Sequence, residues 1–502
     1  MDRIPIAPWR CLVGAAILGL SPNAVEAQES EAAPVALTLS EAAAHFDGHS
    51  AALSGADHAT AAARETAAAV KTLRRPVITA SAQYLEYQKT LSVDLTGPKQ
   101  AAIGNTQQLL NGLPGTFPSG FQDIAAEITA KLSQALPQLF AGIPDRLTYR
   151  YRDDVFRPTV QAVLPIYTGG AIPAVQGAAR AGVSLAEAKA DGVRDAARIN
   201  LIRVYFGQQA AQALETSARQ SRDALASLYD DARKLEAAGV TAHVRTLEAE
   251  VARDAAARAL DRAVLAHQTA RHELADTLDL DAVRPTTPLF VQSRPIAPLA
   301  AFLGREDRLP QSREADAAGA VAQAGVALAK SRYRPQLFAF GEYNLNRDDA
   351  LPTEPDWIVG IGARITLLSN VDRGHTLAAA REQQAAAADA ARAARKTATG
   401  TTRRAWDLTE GARRSFLLLD SAIAAAEENL RVQRVSFDEG EATVTAVLGA
   451  EAALATARAQ RIAAAYEFDL ALAGLLASTG DLAQFSDYLS RADIRIAPEA
   501  SQ

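Results

Sequence analysis

The sequence has almost no sulfur: Cys11 is its one cysteine and Met1 its one methionine in 502 residues. A disulfide scaffold, a cysteine-ligated metal and a thiol nucleophile are thereby excluded. Aromatic residues make up only 6% of the chain, too few for a large aromatic core. There is no excess of positive charge, since 52 Lys and Arg face 58 Asp and Glu for a net charge of −6; a nucleic-acid-binding domain is not expected. Glycine-rich phosphate loops, zincin helices and nucleophile elbows are missing. An enzyme is therefore not expected, nor a cofactor or a metal. What is present is alanine, which carries most of the 48% apolar content. Alanine favours helix and lets backbones approach closely while burying little area per residue. Long helices packed side by side suit such a chain.

Arg3 and Arg10 precede an apolar run, Cys11 to Leu20, and Val25-Glu26-Ala27 places small residues before a cleavage point. This pattern predicts a secretory signal peptide over residues 1–27. The run is shorter than the roughly 18 residues of a membrane-spanning helix. Gln28 would be the first mature residue, so no lipid-bearing cysteine follows the cut.

The rest of the chain states one plan twice. Gly239 and Gly440 stand 201 positions apart, and so do Leu247 and Leu448, and Glu250 and Glu451. In the same register Leu164-Pro165-Ile166-Tyr167-Thr168 aligns with Ile365-Thr366-Leu367-Leu368-Ser369. Pro76 to Tyr84 matches Pro335 to Tyr343 at an offset of 259, so the first copy carries 58 more residues between its strand-like segments. A structural duplication is implied.

The plan sets the expected domains. The first repeat covers 28–280 and the second 309–478, joined by a proline-rich bridge over 281–308 and followed by a loose tail over 479–502. Within the first repeat a helical stretch, Leu39 to Arg74, opens at Ser40-Glu41 and stops before Pro76. Ile78, Ala80, Ala82 and Tyr84 then alternate with Thr79, Ser81 and Gln83, which predicts a strand. Its partner lies within Tyr149 to Ile166, with Asp153-Asp154 disturbing the register. The intervening insertion, about 91–148, holds one amphipathic helix over Phe121 to Phe140, with Ile124, Ile128, Leu132 and Leu136 on one face. Two long helices follow, from Ala174 to about Ala238 and from about Thr241 to Leu278, turning at Gly239. In the second repeat Trp357, Val359, Ile361, Ala363, Ile365 and Leu367 alternate with Gly360, Gly362, Arg364 and Thr366. Helices from about His375 to Asp438 and from about Thr443 to Ser478 turn at Gly440.

Each repeat thus offers two strands and two very long helices. Tilted strands of about 9–11 residues cross a bilayer, but an open sheet edge is not tolerated there. Membrane barrels start at about eight strands, so several copies would be needed, two giving 8 or three giving 12. The fold class expected is mainly α with a membrane β-barrel portion.

The Leu37-Thr38-Leu39-Ser40-Glu41-Ala42 opening, the Arg75-Pro76 and Arg334-Pro335 strand entries, the Leu164-to-Gly170 exit and the Phe437-to-Glu451 segment occur here in a fixed order and spacing. In that order and spacing the chain resembles the TolC-like outer-membrane efflux family. The resemblance implies a homotrimer in which a 12-stranded β-barrel in outer-membrane lipid continues as a periplasmic α-helical barrel. It implies a passive exit channel for efflux or type I secretion, partnered by a periplasmic adaptor (membrane fusion) protein and an inner-membrane pump of RND, ABC or MFS type. Docking would fall on the tips, Ala238, Gly239, Val240, Thr241, Glu439, Gly440, Glu441 and Thr443. The family's paired acidic constriction is replaced here by Ala446 and Gly449, with Arg245 and Glu248 in the matching first-repeat positions. A periplasmic constriction would instead draw on Arg245, Glu248, Glu250 and Glu451. Phe437 stands where the family often has tyrosine and cannot donate a hydrogen bond.

Trp357, Val359, Ile361, Ala363 and Ile365 are expected to face lipid, and Tyr84, Tyr87, Tyr149, Tyr151, Tyr343 and Trp357 to act as interfacial anchors. His45 and His49, like His267 and His272, are spaced as zinc ligands can be, but no third ligand accompanies either pair. The contrasting reading, an exported coiled-coil scaffold or adhesin without a pore, accounts for the helices. It leaves the alternating strands unexplained.

Overall fold

A computed structural model describes residues 34–116, 122–347 and 355–496; the expected signal peptide lies outside the described residues. The chain runs β1 (Val35–Leu37), α1 (Leu39–His49), α2 (Ala51–Lys71), β2 (Val77–Asp94), α3 (Thr96–Gly112), α4 (Gln122–Ala141) and β3 (Arg146–Tyr167). It continues with α5 (Ala171–Ala237), α6 (His243–Leu278), β4 (Val283–Pro285), β5 (Leu289–Val291), α7 (Pro310–Ser331), β6 (Gln336–Asn344) and β7 (Trp357–Arg364). It ends with α8 (Arg373–Asp438), α9 (Val444–Ala477), α10 (Phe485–Ser490) and β8 (Ile494–Ile496). Two compact units emerge among the described residues, one from 34–54, 193–305 and 400–496, the other from 55–192 and 306–399. Each sequence repeat therefore contributes to both.

The first unit is helical and has the larger core. Tyr205, Phe206, Phe290, Phe416 and Phe468 are fully buried. Phe290 meets Phe206, Phe468 and Phe485 at ring separations of 6.0, 6.0 and 5.6 Å, in the edge-to-face arrangement that aromatic quadrupoles favour. The proline-rich bridge supplies part of this core. Its β4 pairs in parallel with β1, and its β5, buried throughout, pairs antiparallel with β8. The described part of the tail, to Ile496, is accordingly not loose: Phe485 is buried and β8 is tied to the bridge, because β5 would otherwise leave an edge of backbone donors unpaired. Tyr205 fixes the bridge from below, its hydroxyl donating to Leu37 O at 2.8 Å and accepting from the amides of Thr286 and Thr287 at 3.0 and 2.9 Å. Asp469 is buried in the same core, where Oδ2 accepts from Phe290 N at 3.3 Å and Oδ1 has no partner among the described residues.

The cap of the first helix lies two residues earlier than Ser40-Glu41 suggests. Thr38 is the N-cap, and Glu41 returns a bond to Thr38 N at 2.8 Å, a reciprocal capping box. The stretch to Arg74 is also two helices, since Ser50 is extended between α1 and α2.

The second unit carries one antiparallel sheet in the order β2-β3-β6-β7. Its strands are unequal in length. β2 and β3 are 18 and 22 residues long, β6 and β7 only 9 and 8. The Asp153-Asp154 pair leaves the ladder intact, standing opposite Tyr87 and Glu86. α3 is an addition to the expected insertion, and Phe121, the first residue of the expected helix there, lies outside the described residues. The turn from β3 into α5 uses Gly169 at φ +66, and a Cβ there would lie 2.7 Å from Ser331 O. Only glycine fits such a backbone and such an approach.

Candidate channel wall and helix tips

The ladder sorts the sheet into two unlike faces. Ile78, Ala80 and Ala82 of β2 share a side with Val160, Ala162 and Leu164 of β3. The register continues that side through Ala339 and Tyr343 of β6 to Trp357, Val359, Ile361 and Ala363 of β7. This apolar face is open: Val359 is 72% and Ile361 75% exposed. Ile365 falls one residue past the end of β7, because the ladder stops at the Gln336–Arg364 pair. The other face holds Thr79, Ser81, Gln83, Thr159 and Gln161, with Ser81 and Thr159 hydrogen-bonded at 2.9 Å and Arg157 paired to Glu342 at 2.6 Å.

Gly360 and Gly362 lie on the polar face beneath aromatic rings. A Cβ would stand 2.9 Å from Phe340 Cζ at Gly360 and 2.6 Å from Phe338 Cζ at Gly362. These phenylalanines were not singled out by the sequence, although their positions two residues apart opposite two glycines are the available signal. Of the expected anchors, Trp357 and Tyr343 face each other on the last pair of the β6–β7 ladder. Tyr84, Tyr87 and Tyr149 lie within strands that run further than expected, and the side chain of Tyr151 lies outside the described ones.

Both tips end in the same hydrogen-bond pattern. Gly239, at φ +72, donates to Glu236 O at 2.8 Å while Val240 donates to Leu235 O at 2.9 Å. Gly440, at φ +81, donates to Phe437 O at 3.0 Å while Glu441 donates to Ser436 O at 2.8 Å. This is the Schellman closure, for which a left-handed residue is required. A Cβ at either glycine would meet nothing within 4 Å, so the surface there is open. Val240 is 71% exposed, and Ala238, Glu439, Glu441 and Thr443 are exposed around it, with Thr241 half-buried. Thr443 also caps α9 by accepting from Ala446 N at 3.2 Å.

Just behind the turns the two tips are locked together. Val444 packs with Ala232 and Ala249, and Phe437 lies against that cluster, so the ring serves as packing in place of a hydroxyl. Arg245 donates to both oxygens of Glu248, at 3.1 and 2.9 Å, and to Thr445 Oγ1 at 2.9 Å. Thr445 in turn donates to Glu248 Oε2 at 2.8 Å. The Thr445 hydroxyl and the Arg245 guanidinium hold the Glu248 carboxyl below the usual range. The structure thus brings Arg245 and Glu248 together and adds Thr445.

The other constriction candidates are placed differently. Glu250 faces Arg253 at 3.4 Å, and Arg253 lies over the Tyr229 ring at 4.2 Å. Glu451 is buried inside the helix packing, 3.2 Å from Arg434. Burial pushes its carboxyl up, against the opposing pull of Arg434 and Arg458. Ala446 is half-buried and Gly449 exposed.

His45, His49 and His267 are used within the fold, and His272 is exposed. His45 bonds Leu278 O at 3.0 Å and stacks on His49, which bonds His45 O at 2.9 Å. His267 lies between Glu215 and Gln208 at 2.7 and 3.0 Å. Among the described residues no group of three or more His, Cys, Asp or Glu is arranged to hold a metal, and no helix is long and apolar enough to cross a membrane.

Residues 306–481 match the family profile described as outer membrane efflux protein. Among solved structures, the chain is similar to a membrane protein from Pseudomonas aeruginosa, at 14% identity over 88% of this chain and 93% of that one, with a TM-score of 0.69. The outer membrane channel CmeC of Campylobacter jejuni matches at 13% identity over 90% and 89%, TM-score 0.68. The outer membrane protein VceC of Vibrio cholerae matches at 15% over 88% and 96%, TM-score 0.67. No curated protein matches the sequence. The family resemblance drawn from the duplicated pattern is borne out: residues 306–481 match the outer membrane efflux protein profile, and over most of the chain the fold is similar to that of outer-membrane channels of known structure.

Proposed function

We propose that three copies of the chain form the outer-membrane exit channel of a tripartite efflux or type I secretion system. The channel conducts substrate passively from a periplasmic adaptor and an inner-membrane pump of RND, ABC or MFS type to the exterior. The observation that carries this is the sheet. It has four strands, unpaired outer edges on β2 and β7, an exposed apolar face and a polar face with a salt bridge. In lipid such edges must be paired, and joining β7 of one copy to β2 of the next removes them. Three copies give a 12-stranded barrel with Trp357, Val359, Ile361 and Ala363 toward lipid and the Arg157–Glu342 side toward a wet lumen. Purification from outer membranes in mild detergent should yield trimers that form open pores in planar bilayers. A monomer released by carbonate without detergent would support a scaffold and overturn the channel.

The insertion, joining the strands at the end away from the long helices, lies outside the cell. The tips lie in the periplasm and receive the adaptor. Gly440→Val should leave trimers intact, since nothing crowds a Cβ there, yet strain the turn through its positive φ. Adaptor crosslinking and export should fall. The constriction rests on Arg245, Glu248 and Thr445. Arg245→Glu places like charges beside Glu248 and should change resting conductance while assembly is unchanged.

A further inference from the structure

The first hairpin exchanges the polarity of its two sides partway along its length. β6 pairs with β3 only over 159–167, so beyond Phe156 the long strands continue as a two-stranded ribbon. The β2–β3 ladder keeps one register from Val77 to Asp94, so each side of the ribbon continues a known face of the sheet. The apolar face, Ile78 to Tyr84, gives way to Gln88, Thr90, Ser92, Arg150 and Arg152. The polar face, Thr79 to Gln83, gives way to Leu85, Leu91, Val93, Leu147 and Tyr149, with Tyr87 and Lys89 among them and Val155 already buried. Leu91, Val93, Leu147 and Tyr149 are each about half exposed.

The ribbon ends in a helical hairpin, α3 and α4, pinned at its base by Lys99, which bonds Ile143 O and Asp145 Oδ1 at 2.9 Å. α4 has Leu136 and Thr129 buried on one side. A second row, Ile124, Ile128, Leu132 and Leu139, is left 47–71% exposed. Leu110 and Leu113 join this row around a groove of about 310 Å³.

We propose that neighbouring copies of the chain pack together through this side of the ribbon and the open row of α4, forming a dry collar beyond the barrel. The inference rests on the trimeric channel reading and deepens it. In a closed ring the Thr79–Gln83 side faces the axis, so its apolar continuation also looks inward. Lipid is not the occupant, because lipid lies outside the ring, where the ribbon is polar. Water does not favour so large an exposed apolar set. The surface that a ring places on its inward side is the same surface of the next copy. Copies already joined by the barrel meet at high effective concentration, so a small patch suffices.

Single cysteines test this, in a Cys11→Ser background so that any disulfide is between copies. Ile128→Cys, on the open row, should form covalent dimers when intact cells are oxidised, since its partner would lie within the roughly 7 Å that a disulfide spans. Ala126→Cys, on another face of α4, should not. Each variant is also weighed in mild detergent. Trimers that crosslink at 128 and not at 126 support the collar. Trimers that crosslink at neither position overturn it while leaving the channel reading intact. Crosslinking equally at both positions, or quenching of a fluorophore on residue 128 by nitroxide-labelled lipid without a disulfide, also overturns it. If the chain with no cysteine substitution forms no trimer, the channel reading falls and the collar with it.

Discussion

The helical core and the sheet obey opposite polarity rules within one chain. Around Phe290 the aromatic rings are the buried residues, and Asp469 is enclosed among them. On the sheet, Val359 and Ile361 are the exposed residues while Arg157 and Glu342 are both partly covered. The difference teaches that the apolar face of an element marks where water is absent, not where the protein's interior is. One region excludes water by packing on itself; in the channel proposed above, the other does so by meeting lipid.

The largest effect should come from the core that packs on itself. Phe290→Ala removes a ring shared by Phe206, Phe468 and Phe485 and should cost about 3–5 kcal/mol. Chemical denaturation followed by helical circular dichroism measures it. A loss below about 1 kcal/mol would mean that the cluster relaxes to fill the hole, and the contrast with the sheet would weaken.

The sheet should respond to the opposite kind of change. Ile361→Arg should destabilise the barrel by about 2–4 kcal/mol if the residue sits at the bilayer midplane. Thr79→Arg, on the exposed polar face, should be tolerated. Gly362→Arg is unsuitable as the benign partner, because the Phe338 ring already occupies the space. Folding yields in lipid vesicles compare the variants. Equal yields for Ile361→Arg and Thr79→Arg would erase the assignment of faces.

A third test concerns Asp469, whose carboxyl is fully enclosed by the core. Burial pushes Asp469 well above the usual carboxylate range, opposed only by the bond from Phe290 N. The folded state then binds its proton more tightly than the unfolded state does. This contribution is complete below the unfolded value of about 4 and is lost as pH rises through the raised folded value. Asp469→Asn, which never ionises, should flatten the decline in stability between the unfolded and the raised folded value. Denaturation midpoints at several pH values read it out, and an unchanged slope would place the ionisation elsewhere.

Much of this architecture was legible because repetition and periodicity are local. The 201-residue offset located both tip glycines, and alternation located the faces of β7. What escaped depended on partners distant in sequence. β5 reads as part of a proline-rich linker, and only the tail strand β8 makes it a paired strand. The length of β2 was hidden because its alternation changes phase after Tyr84, where the apolar residues move from even to odd positions. At the tips, Arg245 and Glu248 were visible as charges three residues apart. Thr445, which joins them, lies 200 residues away and carries no charge. Glu451, expected to line a constriction, is instead enclosed by packing beside Arg434.

The smallest predicted effect uses the duplication as its own control. α6 and α9 end at equivalent positions, Asp279 and Gly480, again 201 apart. Both are left-handed, at φ +54 and +75, and Asp279 is the one non-glycine residue at positive φ among those described. Both close Schellman turns. The bonds at Gly480 are 3.1 and 2.8 Å, while those at Asp279 are 3.3 and 3.1 Å. A side chain in this region costs energy that glycine avoids, although glycine also gains freedom in the unfolded chain. Asp279→Gly should therefore stabilise the helical unit by a net of about 0.5–1 kcal/mol, and Gly480→Asp should destabilise it by a similar amount. Paired melting curves decide the matter. If both changes destabilise, the aspartate at 279 has a favourable role that its backbone angle does not reveal, and the two helix ends are not energetic equivalents.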